Sequence, residues 1–287
     1  MTPSPSEAAR LAVYCYGAET VGPVSMPSRT AQAPTGEAIA SGGPPLPPWM
    51  ASRLSILGWV TGRDALFEGY LNLDAHRVFY GWVCREPDGG ALLILRGTQS
   101  VAEWAIDAEF MPRSPHPVRG EVETGFWSLF QTLEVRDLAG ADYPFAIGVA
   151  RAVGAGAALT VTGHSLGAAL ATYAAEALVT DDAHMRVRGR FIASPRPGDR
   201  QFAAWFASVV QDYAVYAYEP DIVPRVPRWL GYAHLQAWIE IARSGAVADS
   251  PANNHHALTY AWLLDPAALD VLPNGIASAP WIAPDGP

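Results

Sequence analysis

The sequence contains no lysine, and all 19 of its lysine-plus-arginine positions are arginine. The formal net charge is −9, and the arginines form no basic tract. Because proteins bind the phosphate backbone through clustered cations, nucleic acid is not an expected partner. Codon bias in the source genome is the simplest explanation for the missing lysine.

Cysteine is almost as scarce, since the chain has only Cys15 and Cys84. Neither belongs to a C-x-x-C pair or to a cluster with metal-ligand spacing. Their neighbours in sequence are apolar, which predicts two buried free thiols; a disulfide between them is the alternative. The sequence implies no metal and no organic cofactor.

Long apolar runs are also missing: none approaches the ~20 residues that a membrane-spanning helix needs. The segment from Met1 to Tyr16 lacks a basic start followed by an unbroken apolar stretch, and it is predicted to be a short helix capped by Ser6. This pattern indicates a cytoplasmic protein, with secretion as the alternative if a leader has been removed. Nothing in the sequence indicates an oligomeric state.

What the chain does have is enough apolar sequence for a large core, because half of its 287 residues are hydrophobic. Predicted strands alternate with predicted helices, which indicates an α/β fold with a mostly parallel sheet covered by helices on both faces. Two strands joined by the turn Pro87-Asp88-Gly89-Gly90 add an antiparallel hairpin near the N-terminal side. We expect one domain over residues 1–287, with a proline- and glycine-rich loop at 22–48.

The predicted elements follow in order along the chain. Strands are predicted at 78–85, 91–95, 158–162, 189–193 and 214–218. Helices are predicted within 49–72 and at 101–111, 125–134, 143–154, 168–178, 201–210 and 255–264.

The most informative motif is Gly163-His164-Ser165-Leu166-Gly167, between a predicted strand and a predicted helix. G-x-S-x-G in this context is typical of a nucleophile elbow, a sharp turn that lifts the serine hydroxyl clear of the sheet. The glycines are required because a side chain there would collide with the adjoining strand and helix. A simple glycine-rich turn does not account for the flanking elements, so Ser165 is the candidate nucleophile.

A serine hydroxyl needs a histidine to accept its proton and an acid to orient that histidine. In hydrolases built on this elbow the chain order is serine, acid, histidine. Asp221 lies just after the strand at 214–218 and is the favoured acid. Asp199 is its rival and is interpreted as a helix cap. The histidines that remain as candidates are His234, His255 and His256.

Four blocks of the sequence together resemble the class 3 lipase family, the α/β-hydrolases that include the fungal triacylglycerol lipases. The blocks are Leu95-Arg96-Gly97-Thr98-Gln99-Ser100 followed by Trp104 and Asp107, the elbow extended to Ala171, Ser194 to Asp199, and Asp221 to Pro227. They occur in the family's order over residues ~78 to 264, which chance would rarely produce. The proline-rich stretch and the tail after Asp265 lie outside the resemblance.

The resemblance also implies which histidine is catalytic, because the family's histidine lies a few residues before a tyrosine, here Tyr260. The H-x-x-x-x-Y spacing of many bacterial members favours His255, and a shift of one residue selects His256. His234 resembles a family histidine outside the triad, with a structural hydrogen bond as its alternative role.

An oxyanion hole is implied at the backbone N–H groups of Thr98 and Leu166. Asp107 is interpreted as fixing the Thr98 hydroxyl, with an ordinary helix-end carboxylate as the alternative. Residues 101–111, with Trp104 on their apolar face, correspond to the family's mobile lid; a fixed surface helix is the alternative.

The function that the resemblance implies is that of a lipase-type serine carboxylester hydrolase, which cleaves acylglycerol-like lipids through an acyl-enzyme on Ser165. One alternative is an esterase or phospholipase that uses the same triad on short, aryl or phospholipid esters. Others are a non-catalytic lipase-like binding protein and an acyltransferase. The expected partners are a lipid or other ester substrate and, transiently, a lipid interface.

Overall fold

The computed structural model describes residues 4–22, 24–25, 42–63, 77–97, 112–154, 156–181, 185–228 and 231–283. Its strands are β1 Ser55–Arg63, β2 Arg77–Arg85, β3 Ala91–Leu95, β4 Arg113–Pro115, β5 Glu121–Glu123, β6 Glu134–Asp137, β7 Asp142–Pro144, β8 Ala158–His164, β9 Arg186–Ile192, β10 Gly198–Asp199, β11 Asp212–Tyr218, β12 Tyr232–Ala233 and β13 Trp238–Ile241. Its α-helices are α1 Pro5–Val21, α2 Pro48–Ala51, α3 Thr124–Phe130, α4 Phe145–Val153, α5 Leu166–Asp181, α6 Arg200–Val209, α7 Pro251–His255 and α8 Ala257–Leu264.

Within the described residues, the main sheet has nine strands in the order β13-β11-β9-β8-β3-β2-β1-β6-β7. The strands from β13 to β3 pair in parallel, and those from β3 to β7 pair antiparallel. A second, small sheet has the order β12-β10-β5-β4. Since β8 lies between two parallel neighbours, its carboxyl end opens at the edge where ligands bind in α/β sheets.

Helices cover both faces of the sheet, as predicted. The side chains of β3 show this, because alternate residues belong to different hydrophobic clusters. Leu93 packs in the cluster that contains most of α5, whereas Leu92 and Ile94 pack in the cluster that contains Leu11 and Tyr14 of α1. The N-terminal helix is therefore part of the core, and it also contacts α8 and β8.

The predicted hairpin is confirmed as β2 and β3, and the strands and helices around the elbow are confirmed within a few residues. Of the helix predicted within 49–72, α2 is confirmed and residues 55–63 instead form β1, while residues 64–72 lie outside the described part of the chain. Pairing of β1 with β2 on one edge and with β6 on the other overrides the local preference of this segment. Similarly, β6 and β7 form a hairpin between the helices predicted at 125–134 and 143–154, and they replace the end of the first and the start of the second.

The boundaries of the N-terminal helix and of the helix predicted at 255–264 also differ from the prediction. The first helix begins at Pro5 with Ser4 as its N-cap, and Ser6 lies inside it, since proline is favoured in the first helical turn. The last helix is interrupted at His256, whose extended backbone (φ −65°, ψ 135°) separates α7 from α8.

Cys15 and Cys84 are both buried and free, which confirms the expectation of unpaired thiols. Burial is the main reason why the pKa of each thiol is raised.

The loop predicted at 22–48 is described in part, because residue 23 and residues 26–41 lie outside the described residues. Near the end of this loop, the carbonyl oxygen of Pro44 accepts hydrogen bonds from the indoles of Trp59 and Trp82 at 2.9 and 3.1 Å. Among the described helices, none combines the length and apolarity that crossing a bilayer requires.

Glu123 is a fully buried carboxylate that caps α3. It accepts hydrogen bonds from the backbone N–H groups of Gly125 and Phe126 at 2.9 and 2.5 Å. Burial raises the pKa of Glu123 to about 7, although these two N–H groups oppose the shift. A raised carboxyl pKa adds stability that is present below the unfolded-state pKa and is lost as pH rises through the folded-state value.

We therefore expect Glu123→Gln to flatten the pH dependence of stability. Between pH 4.5 and 7 the wild type should lose roughly 3 kcal/mol that the variant does not lose. Urea unfolding of both proteins across this range measures the difference, and the loss of a cap in the variant adds only a constant offset. If the free energy of unfolding changed with pH equally in the two proteins, the raised pKa assigned to Glu123 would be wrong.

Candidate active site

The segment that joins β8 to α5 forms a strained turn at Ser165, whose φ is 58°. Its backbone N–H donates to Ile192 O on the neighbouring β9 at 3.0 Å, which anchors the turn to the sheet. A Cβ on Gly163 would lie 2.2 Å from Gly167 O, and a Cβ on Gly167 would lie 2.3 Å from Leu95 O. Both glycines are therefore required by close packing, as expected for a nucleophile elbow.

Asp221 lies directly after β11, and its buried carboxylate is fully hydrogen-bonded. Its Oδ2 accepts from His255 Nδ1 at 2.7 Å and from the Tyr260 hydroxyl at 2.7 Å, and its Oδ1 accepts from Val223 N at 2.9 Å. The Tyr260 hydroxyl in turn accepts from Tyr218 N at 2.9 Å. Burial and then the Asp221 charge raise the pKa of Tyr260, so this hydroxyl stays a donor to Asp221.

The other ring nitrogen of His255 has no partner among the described residues, and the same is true of Ser165 Oγ. Both atoms are buried. His164 Nε2 lies 2.7 Å from the carbonyl oxygen of His255, which joins the histidine segment to the elbow. Among the described residues, a hydroxyl donor and an imidazole acceptor in the same part of the fold are thus free of other partners, and proton transfer needs them to come within hydrogen-bond reach of each other.

His256, the alternative histidine, is bound elsewhere. Its Nδ1 accepts from Leu258 N at 3.1 Å, so that it caps α8, and its ring packs against Trp281 and Tyr16 with centroids 4.3 and 5.6 Å apart. Burial lowers the pKa of His256 to about 4. The geometry brings His255, and not His256, to Asp221.

The two histidines provide a matched pair of variants, His255→Asn and His256→Asn. The first should lower kcat/KM for a p-nitrophenyl ester by roughly 10⁴-fold or more if His255 is the group that accepts the serine proton. The second should keep kcat/KM within about tenfold, since asparagine is itself a favourable N-cap. The opposite ranking would transfer the catalytic role to His256.

Asp199 and His234 both have structural contacts. Asp199 caps α6 by accepting from Phe202 N at 2.8 Å, which confirms its interpretation as a helix cap. His234 Nε2 accepts from Arg196 Nε at 3.2 Å, and its ring lies 4.1 Å from that of Trp238. Burial, followed by the charge of Arg196, lowers the pKa of His234 to about 4, so the ring is neutral at pH 7.

Of the two predicted oxyanion-hole donors, Leu166 lies within the described residues and Thr98 does not. Leu166 is the first residue of α5, directly after the elbow serine. Gly97 passes beside the elbow, because a Cβ built on it would lie 3.3 Å from Ser165 Cβ and 2.8 Å from His164 O. Thr98, Trp104, Asp107 and the predicted lid at 101–111 lie outside the described residues, so their roles stay predictions.

Two further residues of the site carried no usable sequence signal. Glu19, near the end of α1, places Oε1 2.6 Å from His164 Nδ1. It lies in the part of the chain outside the family blocks. Tyr260 served only as a spacing mark in the sequence, and its hydrogen bond to Asp221 follows from the packing of α8 against β11.

The chain also matches known proteins in sequence. Residues 92–231 match the family described as Lipase (class 3). Residues 92–231 are thus a class 3 lipase family region. Secreted mono- and diacylglycerol lipase A of Penicillium cyclopium is 31% identical over 167 residues, which are 57% of this chain and 52% of that protein. The chain thus spans about half the length of the curated relatives that it matches.

Solved structures of lipases share the fold. A mutant form of MDLA from Penicillium cyclopium superposes with a TM-score of 0.52 at 18% identity, over 87% of this chain and 82% of the other. A triacylglycerol lipase whose catalytic centre is a serine protease triad superposes with a TM-score of 0.51 at 22% identity, over 67% and 68% of the two chains. The predicted α/β-hydrolase fold is confirmed.

Proposed function

We propose that this class 3 lipase family member is a serine carboxylester hydrolase of lipase type that acts through a Ser165–His255–Asp221 triad. The observation that carries the proposal is the buried 2.7 Å hydrogen bond between His255 Nδ1 and Asp221 Oδ2. It belongs to a site in which Ser165 occupies a strained turn with an unpaired hydroxyl. These are the parts that nucleophilic catalysis by serine requires.

In the first half of the reaction, the Ser165 oxygen attacks the ester carbonyl carbon while His255 Nε2 takes the hydroxyl proton. Asp221 keeps the proton of His255 on Nδ1, which leaves Nε2 free to act as the base, and it stabilises the imidazolium that forms. The imidazolium then protonates the departing alcohol as the carbon–oxygen bond of the ester breaks. The product is an acyl-enzyme on Ser165.

In the second half, water attacks the acyl carbon and gives its proton to His255 Nε2. Breakdown of this second tetrahedral intermediate returns the proton to Ser165 and releases the carboxylic acid. The mechanism needs no group beyond the side chains and backbone of the chain.

Both intermediates carry a negative oxygen. The Leu166 N–H is available to this oxygen because it begins α5 and therefore has no acceptor within the helix. The partial positive charge at the start of a helix favours an anion at this position. With Thr98 as the second donor, each N–H is expected to stabilise the transition state by roughly 3 kcal/mol.

We propose acylglycerols as the substrate class, with transient contact to a lipid interface. The support is the name of the Penicillium cyclopium relative, a mono- and diacylglycerol lipase. The name also describes a secreted protein, which favours secretion over the cytoplasmic location first expected from the sequence. Assaying the culture medium and the cytoplasm of the source organism separately tests the location.

Hydrolysis of p-nitrophenyl esters from acetate to palmitate tests the proposed substrate class. We expect kcat/KM to rise with acyl length and to peak at the longer chains. A peak at acetate or butyrate would indicate an esterase instead of a lipase. Absence of hydrolysis at every chain length would contradict the proposed function and favour a binding protein.

A further inference from the structure

His164 occupies the variable position before the nucleophile, and both of its ring nitrogens face oxygen acceptors. Nδ1 lies 2.6 Å from Glu19 Oε1, and Nε2 lies 2.7 Å from the backbone carbonyl oxygen of His255. A backbone carbonyl can only accept a hydrogen bond, so Nε2 carries a proton. An ionised carboxylate also only accepts, so Nδ1 carries the second proton and the ring is an imidazolium.

The surroundings of the ring support this charge state. Burial lowers the pKa of His164. The charge and hydrogen bond of Glu19, followed by the charge of Asp221, raise it by more than burial lowers it, so the net pKa is raised. The titratable groups that face the ring come from α1, from the turn after β11, and from α7 and α8; they are Glu19, Asp221, His255, His256 and Tyr260. Two carboxylates on opposite elements therefore enclose a buried cation.

The contact with His255 links this cation to the reaction. The rings of His164 and His255 lie 4.6 Å apart, and the Nε2–H of His164 holds the backbone of His255 directly beside the elbow. His255 is the last residue of α7, before the break at His256. The His255 carbonyl oxygen therefore lies at a helix end, where it has no donor within the helix and can accept a hydrogen bond from another part of the protein.

We propose that Glu19 and His164 form a charged clamp that positions the catalytic histidine. Glu19 keeps His164 doubly protonated, and the Nε2–H of His164 then fixes the His255 carbonyl and with it the reach of the His255 ring to Ser165. Both are positioning residues, and the inference rests on the proposed function because it takes His255 as the general base. It gives the N-terminal helix, which lies outside the family match, a role in the site.

The clamp should release at high pH. When His164 loses a proton, its remaining proton should stay in the charge-assisted bond to Glu19, which is the stronger of the two bonds. Nε2 then becomes an acceptor that faces the His255 carbonyl oxygen, and the contact turns repulsive. Because the pKa of His164 is raised, the hydrogen bond to His255 is complete below about pH 6.5, the ordinary histidine pKa, and is lost as pH rises through the raised value.

The side-chain amides of glutamine and asparagine separate the two contacts of His164. The amide nitrogen of glutamine reaches the position of Nε2, so His164→Gln keeps a donor for the His255 carbonyl that does not titrate. Asparagine reaches only the position of Nδ1, so His164→Asn keeps a donor for Glu19 and leaves the carbonyl unpaired. Glu19→Gln removes the negative charge while preserving the size of the side chain.

The test combines two measurements. Ring ¹⁵N NMR of wild type and Glu19→Gln reports the protonation of His164 whether or not the protein hydrolyses esters. We expect an imidazolium at pH 7 in the wild type and a singly protonated ring in the variant. A neutral His164 in the wild type at pH 7 would overturn the proposal.

The second measurement is the pH profile of kcat and KM for the His164 variants, with thermal unfolding as the check on folding. His164→Asn should lower kcat by up to about 100-fold with little change in KM, since a small displacement of a catalytic group costs that much. His164→Gln should restore most of kcat and should lack the fall of the wild type at high pH. Equal kcat values for two folded variants would overturn the clamp, whereas an inactive wild type would instead overturn the proposed function.

Discussion

Ser165→Ala is expected to lower kcat/KM for ester hydrolysis by roughly 10⁶-fold, the loss typical of removing a serine nucleophile. Without the hydroxyl, His255 has no proton to accept and no acyl-enzyme can form. Direct attack by water, assisted by the remaining oxyanion donors, accounts for the residual rate. Hydrolysis of a p-nitrophenyl ester by freshly purified variant, compared with buffer alone, measures the loss.

Ser194→Ala is the matched control for this experiment. Ser194 is also a buried serine in a segment that follows a strand, but its hydroxyl donates to Pro195 O at 2.9 Å. Its loss should leave kcat/KM within a few-fold of the wild-type value. Substantial activity in a folded Ser165→Ala protein would mean that another residue is the nucleophile.

Asp221→Asn is expected to lower kcat/KM by roughly 10⁴-fold without unfolding the protein. The amide has nearly the shape of the carboxylate, but it can direct N–H toward His255 Nδ1 and so place the histidine proton on Nε2. That tautomer cannot accept the proton of Ser165. Steady-state kinetics, together with near-UV circular dichroism as the folding check, measure the effect.

Asp199→Asn is the matched control for the acid, since Asp199 was the rival in sequence. Its carboxylate caps α6, and asparagine caps helices about as well as aspartate does. We expect kcat/KM within a few-fold of wild type. If the two asparagine variants lost activity equally, the assignment of Asp221 as the orienting acid would be wrong.

The parts of the fold that sequence predicted well are those in which local pattern and tertiary pairing agree. The β2–β3 hairpin has a proline-glycine turn between apolar runs, and β8 with α5 has the elbow motif between them. The failures lie at β1 and at the β6–β7 hairpin. β1 and β6 pair with each other across a long stretch of chain, whereas β7 pairs with β6 through a short turn. Nothing in the residues of these strands indicates that pairing.

The candidate site shows the same division. Ser165 and Asp221 were predicted from motif and chain order; in the structure Ser165 has φ 58° in the turn after β8, and Asp221 Oδ2 accepts from His255 Nδ1 at 2.7 Å. The H-x-x-x-x-Y spacing favoured His255 over His256 in the sequence. The structure adds a helix break at His256, which the apolar pattern of the following residues does not indicate. Glu19 was not predictable, because its contact with His164 joins positions at opposite ends of a long stretch of chain.

The most direct test of the account is covalent labelling with a p-nitrophenyl alkylphosphonate, which mimics the tetrahedral intermediate and stays on the nucleophile. Because the chain has no lysine, trypsin cleaves only after arginine, and the peptide 152–186 carries Ser165 together with the whole elbow. We expect a single phosphonyl adduct on Ser165 in the wild type, slower labelling of Asp221→Asn, and none in Ser165→Ala. An adduct on another residue, or no adduct on a protein that hydrolyses esters, would contradict it.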